Sequence, residues 1–262
     1  MRSVFHELHK RNKALFWFGW IQVGLLLLAF IMHQFDHTMI MGINAWIKPM
    51  KFSISIAIYS WTFGWLFFYS SNKQATTIVT IGLIITMGVE VGLIYMQAFR
   101  GTTSHFNMYT VFDGLVFATM GIFIGINSLI NFYAITVFFS KSVTIQGAAL
   151  WAWRSGLVLF FLGGISGGWM VSHLAHTVGA VDGGPGIPFF NWSTVAGDIR
   201  AAHFITLHGL QALPFATFLI FKFFAKKSTT IAYLFIALYI GVCIYLHALA
   251  FLGMPVLALS TS

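Results

Sequence analysis

The sequence predicts an all-α membrane protein, a bundle of seven transmembrane helices with a Gly/Pro-rich extracytoplasmic loop capping helices five and six. Three observations predict it. Seven apolar stretches fill most of the 262 residues, each close to the ~20 residues that carry a helix across a hydrocarbon core. The chain is 58% hydrophobic and 8% charged, which leaves too little polar surface for a soluble domain. Lys and Arg also gather at alternate connections, the positive-inside pattern.

The first span, Ala14 to Met32, follows Arg2, Lys10, Arg11 and Lys13. It is too long for a signal-peptide core and no small-residue cleavage site follows it, so it is expected to stay as an anchor in a mature chain beginning near Met1. The second and third spans, Pro49 to Tyr69 and Thr77 to Phe99, are joined through Lys73. The fourth and fifth, Phe112 to Phe139 and Ala148 to Val171, are joined through Lys141. The sixth, Ala201 to Phe224, leads to the seventh, Ile231 to Met254, past Lys222, Lys226 and Lys227. These cations share the side of the N-terminus, which the bias assigns to the cytoplasm, and the C-terminus falls outside. Lys48, Lys51, Arg100 and Arg200 lie on the opposite side with Asp36, Asp113, Asp182 and Asp198.

The net charge of +8 comes from residues scattered over short connections. Topology and anionic lipid headgroups account for it, so the lipid bilayer is an expected partner and nucleic acid is not. A lone cysteine, Cys243, allows no intrachain disulfide. With no linker, repeat or composition shift, residues 1–262 read as a single integral membrane domain. The one long connection, His176 to Arg200, sets glycines and prolines among aromatics and is expected to fold over the helix ends.

Polar residues inside the spans are costly and point to function. Glu90, Gln97 and Arg100 share one face of the third span, because separations of seven and three residues return to nearly the same angle. At 1.5 Å per residue Glu90 lies roughly 15 Å below Arg100, where an ionised carboxylate costs on the order of 2.5–3.5 kcal/mol. His33 follows the first span, His173 and His176 end the fifth, Arg200, His208 and Gln211 form a stripe on the sixth, and His247 lies on the seventh. A neutral imidazole can ligate a metal or carry a proton near neutral pH. The plainer alternative is that these groups hydrogen-bond between helices or cap backbone ends, and the loop histidines His105 and His203 carry the weakest signal. Asn127 and Asn131 read as interhelical hydrogen-bonding groups, and GGISGG at Gly163 to Gly168 as a close-packing surface.

Three strings, NAWIKPMKF at Asn44 to Phe52, QAFRGTTSHFN at Gln97 to Asn107, and HTVGAVDGGPGIPFFNWSTVAGDIRAAHFITLHGLQALP at His176 to Pro214, resemble a widespread group of uncharacterised bacterial multipass membrane proteins. The resemblance covers most of the chain after the first span. It implies a shared architecture in the bacterial inner membrane and supplies no reaction.

Two functional classes lead. The first is a membrane redox or metal protein holding heme b or a transition metal through His33, His173, His208 and His247, with Gln97, Arg100, Arg200 and Gln211 as cofactor-binding groups. The absence of CxxCH excludes covalent c-type heme. The second is a zinc-dependent membrane hydrolase with Glu90 or Asp198 as the catalytic base, although no HExxH is present. A third class is a transporter or receptor that binds a small anionic ligand through Lys48, Lys51, Arg100 and Arg200. A small or lipid-soluble substrate fits each class, and whether the chain is an enzyme stays open.

Overall fold

The computed structural model describes residues 4–224 and 228–258. Arg2, Lys226 and Lys227, which enter the charge bias above, lie outside the described residues. The chain divides into two compact units, Met1–Thr144 and Ile145–Ser262. The first holds α1 (Val4–Arg11), α2 (Lys13–Phe35), α3 (Ile47–Leu66), α4 (Lys73–Phe99) and α5 (Val111–Phe139). The second holds α6 (Gly147–His173), α7 (Ile199–Phe223) and α8 (Ser228–Phe251). Seven helices, α2 to α8, are long and apolar enough to cross a membrane, with a 3-10 turn at Phe67–Tyr69 extending α3.

What these helices expose confirms the solvent they are built for. On α2, α5 and α8 the exposed residues include Ile21, Phe30, Leu129, Phe132, Leu238 and Ile244. Buried polar groups meanwhile face protein, Gln22, Ser53, Thr86 and Asn131 among them. That is the inverse of a soluble amphipathic helix, and the make-up of a multipass membrane protein.

Capping explains most of the difference between the expected and observed helix ends. The Asn12 side chain accepts from the Leu15 amide, 3.0 Å, and Asn72 from Ala75, 3.0 Å, so α2 and α4 begin one and four residues before their apolar runs. The α4 terminus is a Schellman motif: Gly101 sits at φ 67°, its amide bonds Ala98 O, and the Thr102 amide bonds Gln97 O. Gly253 closes α8 in the same way at φ 74°, which ends the helix three residues before the expected Met254. Short α1 has no counterpart among the apolar spans. It buries Leu8 and pairs Glu7 with Arg11 across one turn at 3.1 Å.

Within the first unit, the α2–α3 connection forms a small hairpin of β1 (Met39–Ile40) and β2 (Ile43–Asn44). Its turn places Met41 and Gly42 at φ 50° and 77°, the left-handed pair of a tight hairpin. Asp36 fastens the connection by accepting from Trp46 Nε1 at 2.7 Å and the Thr38 amide at 3.0 Å.

Within the second unit, α6 and α7 approach closely along a glycine face. A Cβ on Gly156 would stand 2.9 Å from the Leu210 Cα, and one on Gly163 would stand 2.9 Å from Leu207 Cδ2. Gly167 faces His203 of α7, whereas Gly168 faces open space, so only one of the two overlapping GxxxG spacings packs in this way. The α6–α7 connection carries β3 (Thr177–Val178), paired antiparallel with β4 (Gly197–Asp198) at the start of α7.

Candidate functional site

The polar stripe of α4 divides into two parts with different chemistry. At its end, Gln97 Nε2 donates to Asp113 Oδ1 of α5 at 2.9 Å, and the Arg100 guanidinium donates to both Gln97 Oε1 and Asp113 Oδ1. The Thr110 hydroxyl, which also caps α5, donates to Asp113 Oδ2 at 2.6 Å. Gln97 and Asp113 are buried, and the guanidinium lies 4.6 Å over the Phe112 ring. Two helix ends are thereby clamped through a buried carboxylate whose lone pairs are used. Gln97 and Arg100, expected to hold a cofactor, are engaged with each other and with Asp113.

Deeper on the same face, Glu90 is 1% exposed, and neither carboxyl oxygen takes part in a hydrogen bond. The nearest ion-pairing group is His105, whose Nε2 lies 3.7 Å from Glu90 Oε1. It comes from the α4–α5 connection, which turns inward. Ser104 and Asn107 there are buried, and Phe106 adopts a left-handed conformation at φ 60°. The Asn107 amide braces the turn by donating to Thr102 Oγ1 at 2.9 Å and Thr103 O at 3.0 Å. Irregular backbone survives beside spanning helices only when its polar groups are answered in this way.

Lys48, in the first turn of α3, sets the tautomer of His105. Its Nζ is 3.0 Å from His105 Nδ1, with Ser104 Oγ 3.1 Å from the same nitrogen. An ammonium can only donate, so Nδ1 accepts and Nε2 carries the ring hydrogen, turned toward Glu90. Phe52 and Phe117 flank the imidazole, with centroids 5.9 and 6.3 Å away. Lys48, His105 and Glu90 thus run in series from a half-buried helix end to a buried carboxyl.

Elsewhere in the first unit Asn131 donates to Tyr59 Oη at 2.9 Å, and Thr86 and Tyr59 donate to Asn127, so the two asparagines do join α3, α4 and α5. His33 is half-buried, and its Nδ1 makes no hydrogen bond.

In the second unit the two aspartates of the α6–α7 connection serve its backbone. Asp198 is 1% exposed. It caps α7 through the Arg200 amide at 2.9 Å, accepts from the Ser193 amide at 2.7 Å, and binds the Arg200 guanidinium through both oxygens at 2.9 and 2.6 Å. Arg200 also donates to Asn191 O. Asp198 and Arg200, expected as base and cofactor ligand, therefore hold each other and the connection. Asp182 accepts from His176 Nδ1 at 2.6 Å and Thr177 Oγ1 at 2.7 Å, and from both residues' amides. Burial pushes its carboxyl up, but the Thr177 hydroxyl and the His176 charge outweigh that and hold it below the ordinary aspartate range.

The helix histidines of this unit each have a local contact, and His203 also lies within electrostatic range of His176, His208 and His247. His173 is exposed and stacks on Trp169 at 4.0 Å, with Nδ1 2.9 Å from Trp169 O. His203 Nδ1 meets Gly163 O at 2.7 Å, the His208 ring lies 4.2 Å from Phe204 beside half-buried Gln211, and His247 Nδ1 is 2.9 Å from Cys243 O. His247 also borders a cavity of about 420 Å³ formed by α6, α7 and α8. Among the described residues no three His, Cys, Asp or Glu side chains stand together as a metal ion's ligands.

Sequence reasoning gave His105 the weakest signal and took Lys48 only as an anion-binding group, so it missed their link to Glu90. His105 lies fifteen positions beyond Glu90, across a helix end, so no periodicity connects them. The apolar neighbours of SHFN were the one signal that this connection turns inward. Compared with protein-family models, curated proteins and solved structures, the chain matches none.

Proposed function

We propose that this chain is a proton-handling membrane protein in which Glu90 binds and releases a proton within the bilayer and His105 passes it to and from the Lys48 end of the first unit. The observation that carries this reading is a buried carboxyl with no hydrogen bond, 3.7 Å from the Nε2 of an imidazole whose other nitrogen faces Lys48. An ionised carboxylate with no hydrogen bond is costly there, and the His105 Nε2 hydrogen beside it is the proton that would neutralise it. His105 exposes 23% of its side chain and Glu90 1%, so the imidazole is the accessible member of the pair. With the N-terminus in the cytoplasm, as the positive-inside bias has it, the relay opens to the extracytoplasmic face of a bacterial inner membrane. A proton entering there serves a coupled transport or redox step.

Heme b is the second reading. It is favoured by His173 and His247, each of which sets Nδ1 against the carbonyl one turn back and leaves Nε2 with the lone pair that ligates iron.

Dicyclohexylcarbodiimide tests the first reading, because it adds to protonated carboxyls in apolar surroundings. Mass spectrometry of treated membranes should find the adduct on Glu90 in preference to the five other acidic residues, with labelling that rises as pH falls. Labelling elsewhere, or at Glu90 without pH dependence, contradicts the reading.

A further inference from the structure

We propose that the cavity formed by α6, α7 and α8 binds the head group of a lipid-soluble quinol. The cavity holds about 420 Å³ and is walled by apolar side chains apart from Ser166, Thr206, Cys243 and His247. Ser166 is committed elsewhere, since its hydroxyl donates to Gly163 O at 2.7 Å. Two polar atoms remain for a ligand.

The first is Thr206 Oγ1. The residue is 2% exposed, and its hydroxyl has no oxygen or nitrogen partner, only the weak one that the Cys243 thiol provides. A buried helical hydroxyl ordinarily bonds the carbonyl one turn back, as Ser60 does with Ile56 O at 2.7 Å. The second atom is Nε2 of His247. A carbonyl can only accept, so the 2.9 Å approach of His247 Nδ1 to Cys243 O fixes the ring hydrogen on Nδ1. Nε2 is left as an acceptor on a residue that borders the cavity.

A site with a nitrogen acceptor, a hydroxyl and apolar walls calls for an apolar molecule that carries its own O–H donor. Trp169 and Phe251 meet edge to face at 5.4 Å on the wall and provide the surface that an aromatic ring packs against. A quinol meets each demand: one hydroxyl donates to His247 Nε2, Thr206 bonds a ring oxygen, and the isoprenoid tail runs past Leu162 and Ile165 into lipid. An acyl chain fills the volume but leaves both polar atoms unanswered, and a fatty acid brings a carboxylate that neither atom neutralises.

The test titrates the full chain in lipid nanodiscs with decylubiquinol under anaerobic conditions, by calorimetry. Saturable binding is expected, weakened at least tenfold in Thr206→Val and more in His247→Leu, and decylbenzene, which has a ring and a tail but no hydroxyl, should show no saturable binding. Thr206→Val keeps the side-chain shape, so it decides the question if His247→Leu fails to fold. Three results overturn the proposal: no saturable binding of decylubiquinol, equal affinity in wild type and Thr206→Val, or a heme Soret band in the purified protein that His247→Leu removes. None of these readouts depends on proton movement at Glu90, so failure here is separate from failure of the relay.

Discussion

Replacing Glu90 with leucine should make the protein more stable, by about 1–3 kcal/mol. Neither carboxyl oxygen of this 1% exposed residue makes a hydrogen bond, and a buried polar group in that state costs roughly 1–3 kcal/mol in protein data. When the group is ionised, its compensation is His105 at 3.7 Å. Loss of Glu90 strands no buried charge, because His105 keeps 23% of its side chain exposed and keeps its contact with Lys48. Leucine is larger than glutamate by about one methylene group, so overpacking offsets part of the gain without leaving a cavity. Equilibrium unfolding in mixed micelles measures the difference, with Glu90→Gln, which retains shape and polarity, expected near wild type. A destabilisation of Glu90→Leu beyond about 1 kcal/mol would refute the reasoning, because it would mean that the carboxyl is a bonded strut. Groups held at a cost to stability are the ones retained for function.

Three further outcomes follow from the geometry. Gly156→Val should cost about 1–3 kcal/mol by overpacking, because its Cβ would stand 2.9 Å from a backbone atom of α7; wild-type unfolding would mean that the two helices can part without loss. Asp113→Ala should cost about 1–3 kcal/mol by leaving the buried Gln97 amide without its acceptor, which thermal unfolding in detergent would register. The Asp182 carboxyl lies below its ordinary value of 3.8 in the fold, so its stabilisation is complete above that value and is lost as pH falls through the lower folded value. The protection factors of the His176 and Thr177 amides against hydrogen exchange should therefore fall below about pH 4, and Asp182→Asn should show low protection without that pH dependence.

The seven spans were legible because hydrophobic length alone specifies them. Their ends shifted where local hydrogen bonding took over, at Asn12, Asn72 and Gly253. The stripe on α4 was legible too, as was the unusual depth of Glu90, since both follow from helical periodicity. What the stripe does was only half legible. Gln97 and Arg100 find their partner in Asp113 across a connection whose path is set by tertiary packing, and the same connection brings His105 to Glu90. Asp198 and Arg200 illustrate the same limit from the other side. Their spacing of two residues suits an N-cap with a folded-back guanidinium as well as it suits a catalytic base beside a cofactor-binding group, and the hydrogen bonds to Ser193 and Asn191 form the cap. Histidines on separate helices are harder still, because a ring that donates to its own helix carbonyl looks identical in sequence to a ligand.

Infrared difference titration of the wild-type protein and Glu90→Gln in lipid tests the central claim most directly. A protonated carboxyl in an apolar site gives a carbonyl stretch that shifts on deuteration and is absent from the carboxylate. The account predicts such a band that grows as pH falls, is missing in Glu90→Gln, and titrates differently in His105→Phe. A band that is absent at every pH, or that persists unchanged in Glu90→Gln, would contradict it.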